Sequence, residues 1–338
     1  MIYEYNSFLK EYIQNFLLQQ KSIVTDFTYA HRCGILRNFD EFVINNNCKD
    51  INFTESQVLQ WIASLNGKRA TINSYINVIR VFFKFLAGYG FHPFQPQQIK
   101  PHNDYIAYEF SDEELKQIFL NADLCCLSSN PNSATKSHPT TKYFKLKYEL
   151  PMILRIILGC GLRLEEATTI QLKDIDFDKD VLTIKKSKSK EYRIVPMSES
   201  LTTILTQYCK SMGLGLDNEA YIFPGTNFSK PIPSFCIRNH FNHLLKKSNI
   251  SVLNRKKHER GMCIHCFRHT FAHKSFKKGL KDGWAINDQI PWLSVYLGHK
   301  NLRETEKYLK FNSEIFNEEI EMFDKYSQNL FPEVMFDE

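Results

Sequence analysis

Apolar residues recur at three- and four-residue intervals through about the first ninety positions, so this stretch reads as helix from end to end. Ile2, Tyr5, Phe8/Leu9, Tyr12/Ile13 and Phe16/Leu17 mark a first amphipathic helix. Phe27, Ile35, Leu36, Phe39, Phe42 and Val43 mark a second over residues 26–44. Thr54-Glu55-Ser56-Gln57 has the form of a capping box and opens a third helix through Val58, Trp61 and Ile62, which Asn66-Gly67 closes. The fourth, over residues 68–87, puts Ile72, Tyr75, Ile76, Ile79, Phe82, Phe83 and Leu86 on one side. Lys68, Arg69, Arg80 and Lys84 remain for the other, a basic face that is either merely solvated or laid against DNA phosphates. The pattern then breaks at His92-Pro93-Phe94-Gln95-Pro96, with Pro101 just beyond. A helical domain of residues 1–92, a linker of 93–103 and a second domain of 104–338 are expected.

The second domain changes period twice. Ser111-Asp112-Glu113-Glu114 is another capping box, residues 121–147 read as a polar surface loop or insertion, and residues 148–160 as an apolar helix. Alternation at Val181–Ile184 and Arg193–Pro196 predicts a hairpin with a lysine-rich connection. Helical spacing returns over 199–212, 234–247, 265–278, 291–297, 301–310 and 313–327. The predicted fold class is mainly α with one small antiparallel sheet in the C-terminal domain.

Composition narrows the class. Hydrophobic residues make up 43% and charged residues 24%, a globular balance, and the net charge of +6 is mild enough that clustering matters more than the total. The nine cysteines follow no framework spacing, which predicts reduced thiols. With no basic-then-apolar leader and no apolar run of about 18 residues, a cytoplasmic protein without a membrane span is expected.

Charge clusters at Lys186, Lys188, Lys190 and Arg193 in the hairpin, and at Arg255, Lys256, Lys257 and Arg260 in a loop; each is a phosphate-contact candidate or a solvated turn. The loop runs into His265-Cys266-Phe267-Arg268-His269-Thr270, where His265 and Arg268 share a helix face and can supply proton transfer and charge to one phosphate. A metal site from Cys263, His265, Cys266 and His269 is the competing reading, but four ligands within seven residues fit zinc spacings poorly, and no metal or cofactor is expected. In Gly161-Leu162-Arg163-Leu164-Glu165-Glu166, Arg163 presents a planar fork that Glu166 can orient, or the two make an ordinary surface ion pair. Tyr308 follows Leu297-Gly298-His299 by nine residues; one tyrosine of sixteen is more often core than nucleophile. Together the pieces form the set needed for a phenol to attack a phosphodiester without metal.

In these boxes, their order and their spacing, the sequence resembles the tyrosine recombinase (phage integrase) family over residues 68–312. The resemblance implies a two-domain C-shaped clamp on duplex DNA, with a SAM-like helical core-binding domain facing the catalytic domain. It implies Arg163, Arg268 and His299 as stabilisers of the phosphorane and Tyr308 as nucleophile forming a 3′-phosphotyrosyl link. Lys188 is implied as the acid for the 5′ oxygen, His265 as proton shuttle and Glu166 as the orienting carboxylate. It further implies a homotetramer on two synapsed recombination sites, with exchange of a C-terminal helix carrying Ile315, Phe316, Ile320 and Phe323. An integrase of the heterobivalent kind is not expected, since no arm-binding domain is read ahead of residue 1. The expected function is site-specific recombination for integration or excision of a mobile element. Xer-like dimer resolution and type IB-like DNA relaxation are the alternatives, with an inert DNA-binding protein behind them.

Overall fold

The computed structural model describes residues 4–99, 108–127, 141–185, 192–214, 218–225, 230–250, 261–306 and 308–309. The chain separates into two compact units, Met1–Asp104 and Tyr105–Glu338.

The first unit holds four helices: α1 (Lys10–Lys21), α2 (Asp26–Asn45), α3 (Glu55–Ser64) and α4 (Arg69–Ala87). Each start has a chemical cause. Thr25 caps α2 through the Thr28 N–H, and Thr54 and Gln57 close the capping box predicted for α3. The first helix begins later than the apolar spacing suggests, yet Tyr5 and Leu9 ahead of it are still buried. Phe39 is the hub of the core, with ring centres 5.2 Å from both Phe53 and Trp61 and 5.7 Å from Phe83. The predicted linker packs onto this unit as far as it is described. The Phe94 N–H donates to Phe53 O at 2.9 Å and the Ile99 N–H to Asn73 Oδ1 at 2.8 Å, because an extended segment must place its polar backbone somewhere.

The second unit is built around α6 (Thr141–Cys160), whose Ile153, Leu154, Ile156 and Ile157 are buried. Packed against it are α5 (Asp112–Leu127), α7 (Leu164–Thr168), α8 (Glu199–Ser211), α9 (Ser234–Lys247) and α10 (His265–Lys281). Two further helices, α11 (Ile286–Leu297) and α12 (Leu302–Glu306), follow α10. A three-stranded antiparallel sheet, ordered β1 (Ile175–Asp176), β2 (Val181–Lys185) and β3 (Tyr192–Pro196), pairs Val181 with Pro196 and Lys185 with Tyr192. The fold is therefore mainly helical with one small sheet among the described residues.

Three differences from the sequence reading have local reasons. Residues 121–127 and 141–147, read as polar loop, continue α5 and begin α6, with Ala122 and Leu146 buried in the main core. Helix α11 starts at Ile286 rather than at Pro291, which lies inside the helix, so the proline does not mark its start. The five-residue α7, begun at Arg163 as its helix-start reading has it, is too short to show a period and carried no predicted range.

Candidate active site

Arg268 is the centre of the site and is 0% exposed. A guanidinium can be buried only if its donors are met. Nη1 donates to Gly161 O at 2.7 Å, Nη2 to Leu297 O at 2.8 Å and to His299 Nε2 at 2.9 Å, and Nε to the Tyr308 hydroxyl at 3.3 Å. Four of the five N–H donors of an arginine fork are thereby assigned.

The two glycine-bearing motifs exist to supply those acceptors. Gly161 has φ +60°, and a Cβ there would fall 2.5 Å from Phe271 and 2.8 Å from Leu297. Gly298 ends α11 at φ +66°, and a Cβ would fall 2.8 Å from Arg193 Nη1. Without these turns neither the Gly161 nor the Leu297 carbonyl would face Arg268.

Glu166 ties three arginines together. It accepts the Arg163 N–H at 2.9 Å and Arg163 Nη1 at 3.0 Å, so it both caps α7 and holds the Arg163 fork. It takes Arg193 in a two-pronged pair at 3.0 and 2.7 Å and lies 3.7 Å from Arg268 Nη1. Burial pushes its carboxyl up, but the Arg193 hydrogen bonds and charge, helped by Arg163, bring it down to about 2.

Arg193, read as a phosphate-contact candidate or part of a solvated turn, has its side chain turned inward instead. Its side chain is 9% exposed, its two Nη atoms are on Glu166, and Nε donates to Tyr296 O at 3.0 Å. The signal was present in the sequence: Arg193 and the buried Val195 are two apart on one strand and share its inner face. Arg80, also a phosphate-contact candidate, is half-buried with Nη1 on Pro96 O at 3.2 Å, while Lys68, Arg69 and Lys84 are exposed. Lys186, Lys188, Lys190, Arg255, Lys256, Lys257 and Arg260 lie outside the described residues, as do the predicted C-terminal helix and its Ile315, Phe316, Ile320 and Phe323.

Tyr308 is 5% exposed and packs in a small cluster with Ala272, Phe276 and Leu297. The His299 ring stacks on it at 5.6 Å and 18°, and the His269 ring meets it at 4.8 Å and 63°. His299 is depressed to about 3, first by burial and then by the charges of Arg268, Arg163 and Arg193, so its imidazole is neutral at physiological pH. Its Nδ1 lies 2.6 Å from Thr305 Oγ1. His265 is exposed at the start of α10, one ring further out, 4.8 Å from His269. Arg163, Glu166, Arg268, His299 and Tyr308 are thus brought together, and His265 borders them through His269. Sequence reasoning missed Thr305 and the Glu166-holding place of Arg193. It weighed His269 only as a metal ligand. Among the described residues no cluster of three or more such side chains has metal-holding geometry.

The profile of the phage integrase family matches residues 133–314, more than half of the chain. The chain belongs to the phage integrase family. This recombinase is 24% identical over 311 residues to a tyrosine recombinase of Pseudothermotoga lettingae, covering 89% of this chain and 94% of that protein. It is 23% identical over 310 residues to tyrosine recombinase XerC of Rickettsia prowazekii, covering 87% and 89%. Its fold is similar to that of XerH site-specific recombinase bound to palindromic difH substrate in a post-cleavage complex (TM-score 0.64, 15% identity, 88% of this chain and 80% of that one). It is similar also to the Tn1549 transposon integrase in complex with circular intermediate DNA (TM-score 0.59, 18% identity, 88% and 94%).

Proposed function

We propose that this recombinase breaks one strand of duplex DNA at a specific site by attack of the Tyr308 phenol on a backbone phosphorus. The products are a 3′-phosphotyrosyl bond and a free 5′ hydroxyl, and the reverse step reseals the strand without ATP. The observation that carries this reading is the Tyr308 hydroxyl on Nε of a fully buried arginine, 3.3 Å away, with His299 against the ring. Nucleophile and charge stabiliser are one hydrogen bond apart. Three of the other four N–H donors of Arg268 are committed to Gly161, Leu297 and His299, and in this reading an entering phosphate oxygen takes Nε from the phenol. That displacement frees Tyr308 to attack in the same motion that binds the phosphate.

Arg163, with its side chain 35% exposed, completes the cationic cradle for the non-bridging oxygens, and Glu166 holds its fork in place. His265 serves as proton shuttle at the outer edge of the ring series. Lys188 protonates the leaving 5′ oxygen, a role that rests on the family resemblance. Duplex DNA is the substrate, a reading supported by the DNA named with the similar XerH and Tn1549 structures. Lys68, Arg69 and Lys84 of the first unit contact its phosphates. A homotetramer acts on two synapsed sites, and integration or excision of a mobile element is the biological role. Similarity to XerC over 87% of the chain favours dimer resolution as the second reading.

A nicked suicide substrate tests the chemistry. The native chain is expected to form a covalent adduct with DNA, and Tyr308→Phe to form none while still retarding DNA; an equal yield from that variant ends the proposal. Arg268→Ala is expected to abolish cleavage with retardation largely kept, and loss of both together would make it a structural arginine.

A further inference from the structure

We propose that Thr305 is a positioning residue for His299 whose hydroxyl lets the imidazole carry its proton on either nitrogen as the reaction requires. The two ring nitrogens have separate partners: Nε2 is 2.9 Å from Arg268 Nη2 and Nδ1 is 2.6 Å from Thr305 Oγ1. A guanidinium donates and never accepts, so Nε2 is the acceptor there. A neutral ring then has its proton on Nδ1, which donates to Thr305. In that arrangement Nε2 has no hydrogen to give to a phosphate oxygen.

The inference rests on the proposed function, in which His299 helps hold the phosphorane. For that step Nε2 must bear the proton and Nδ1 must be bare. The exchange is proton-neutral and carried by solvent at the half-buried ring, which gives its Nδ1 proton to water and takes one from water at Nε2. Few side chains could partner Nδ1 in both states. A carboxylate accepts only and would fix the proton on Nδ1; a valine offers neither polarity. A hydroxyl accepts from Nδ1–H in the resting arrangement and donates to Nδ1 in the other by rotating about one bond. Thr305 is 0% exposed, so this partner is held inside the protein rather than borrowed from solvent. It also ties the histidine to the nucleophile, because the Tyr308 N–H donates to the Thr305 carbonyl at 2.9 Å.

The test compares Thr305→Val, which keeps the shape and removes the hydroxyl, with Thr305→Ser, which keeps the hydroxyl. On the suicide substrate, Val is expected to slow single-turnover cleavage about 10–100-fold, and Ser to stay within about threefold of native, the range for losing or keeping the partner that orients an imidazole. DNA retardation should be unchanged in both. In a His299→Ala background, Val should cause no further loss, because Thr305 acts through that ring. Native-like cleavage by Val, cleavage by Ser as slow as by Val, or an additive loss in the His299→Ala background would each overturn the inference. If Val does not fold, Thr305→Ala takes its place under the same expectations. A native chain that forms no adduct would sink the functional reading instead. The histidine nitrogen shifts would then decide the inference alone, with the proton expected on His299 Nδ1 in the native chain; a proton on Nε2 would overturn it.

Discussion

The core of the first unit and the centre of the second bury side chains of similar size by opposite means. Around Phe39 the buried groups are mostly rings and aliphatic chains that need only contact, with single hydrogen bonds from Trp61 to Asn38 and from Tyr5 to the Cys33 carbonyl. Among its described residues the one buried carboxylate, Asp40, is met by two backbone donors of the segment ahead of α1, the Asn6 N–H at 2.8 Å and the Ser7 N–H at 3.2 Å. Around Arg268 the buried groups are a guanidinium, a carboxylate, an imidazole and a phenol, and each requires a specific atom. Those atoms come from far along the chain: Gly161 O lies 107 positions from Arg268 and Leu297 O lies 29. Apolar burial tolerates many neighbours, whereas charge burial tolerates one arrangement. The difference explains why the site can hold the Tyr308 phenol against the Arg268 guanidinium before any substrate arrives.

Removing Glu166 should break that contrast most sharply. Glu166→Ala leaves Arg193 buried without its carboxylate, so cleavage should be lost and the second unit destabilised by about 3–5 kcal/mol, read from the denaturant midpoint. A variant with native stability would mean the three arginines hold one another through the backbone carbonyls alone. In the first unit, Phe83→Ala should cost a similar 3–5 kcal/mol or so through a cavity, with DNA retardation weakened because that unit no longer presents α4. Retained retardation by an unfolded first unit would remove it from the DNA interface.

Acid should separate the two regions more gently. Glu166 is depressed to about 2 and His299 to about 3, so in both cases the unfolded chain binds a proton more readily than the folded one. The Glu166 contribution is present above the ordinary carboxylate range and is lost as pH falls through about 2. For His299 the unfolded ring begins to protonate near pH 6.5, so stability declines from there down to about pH 3. The melting temperature of the native chain should therefore fall between pH 7 and 4, and His299→Ala should flatten that fall; an equal slope in both would show that the ring is not buried beside charge. The smallest effect is expected at the surface. Lys84→Ala should change stability by less than about 0.5 kcal/mol and lower the salt dependence of DNA binding by about one ion. An unchanged salt slope would leave this face merely solvated.

How much could be read without the structure follows the same division. The four helices of the first unit and the Thr54 and Ser111 caps were legible because period and capping are local properties. Arg163, Arg268, His299 and Tyr308 stood out as a set, because the spacing of chemically special residues survives in one dimension. Arg193 was misread as a surface cation, since the alternation that turns it inward is a single step in a five-residue strand. Thr305 carried no signal at all: one threonine three positions before a tyrosine looks like any other.

The order of residues alone determined most of the helices, which faces are apolar and which few side chains stand out as candidates for phosphate chemistry. Only the folded chain decided which of them share protons, because hydrogen bonds to a buried guanidinium depend on carbonyl directions set by two left-handed glycines and on strands and helices distant in sequence. Local propensity acts over a few residues, and the electrostatics of this site acts through space.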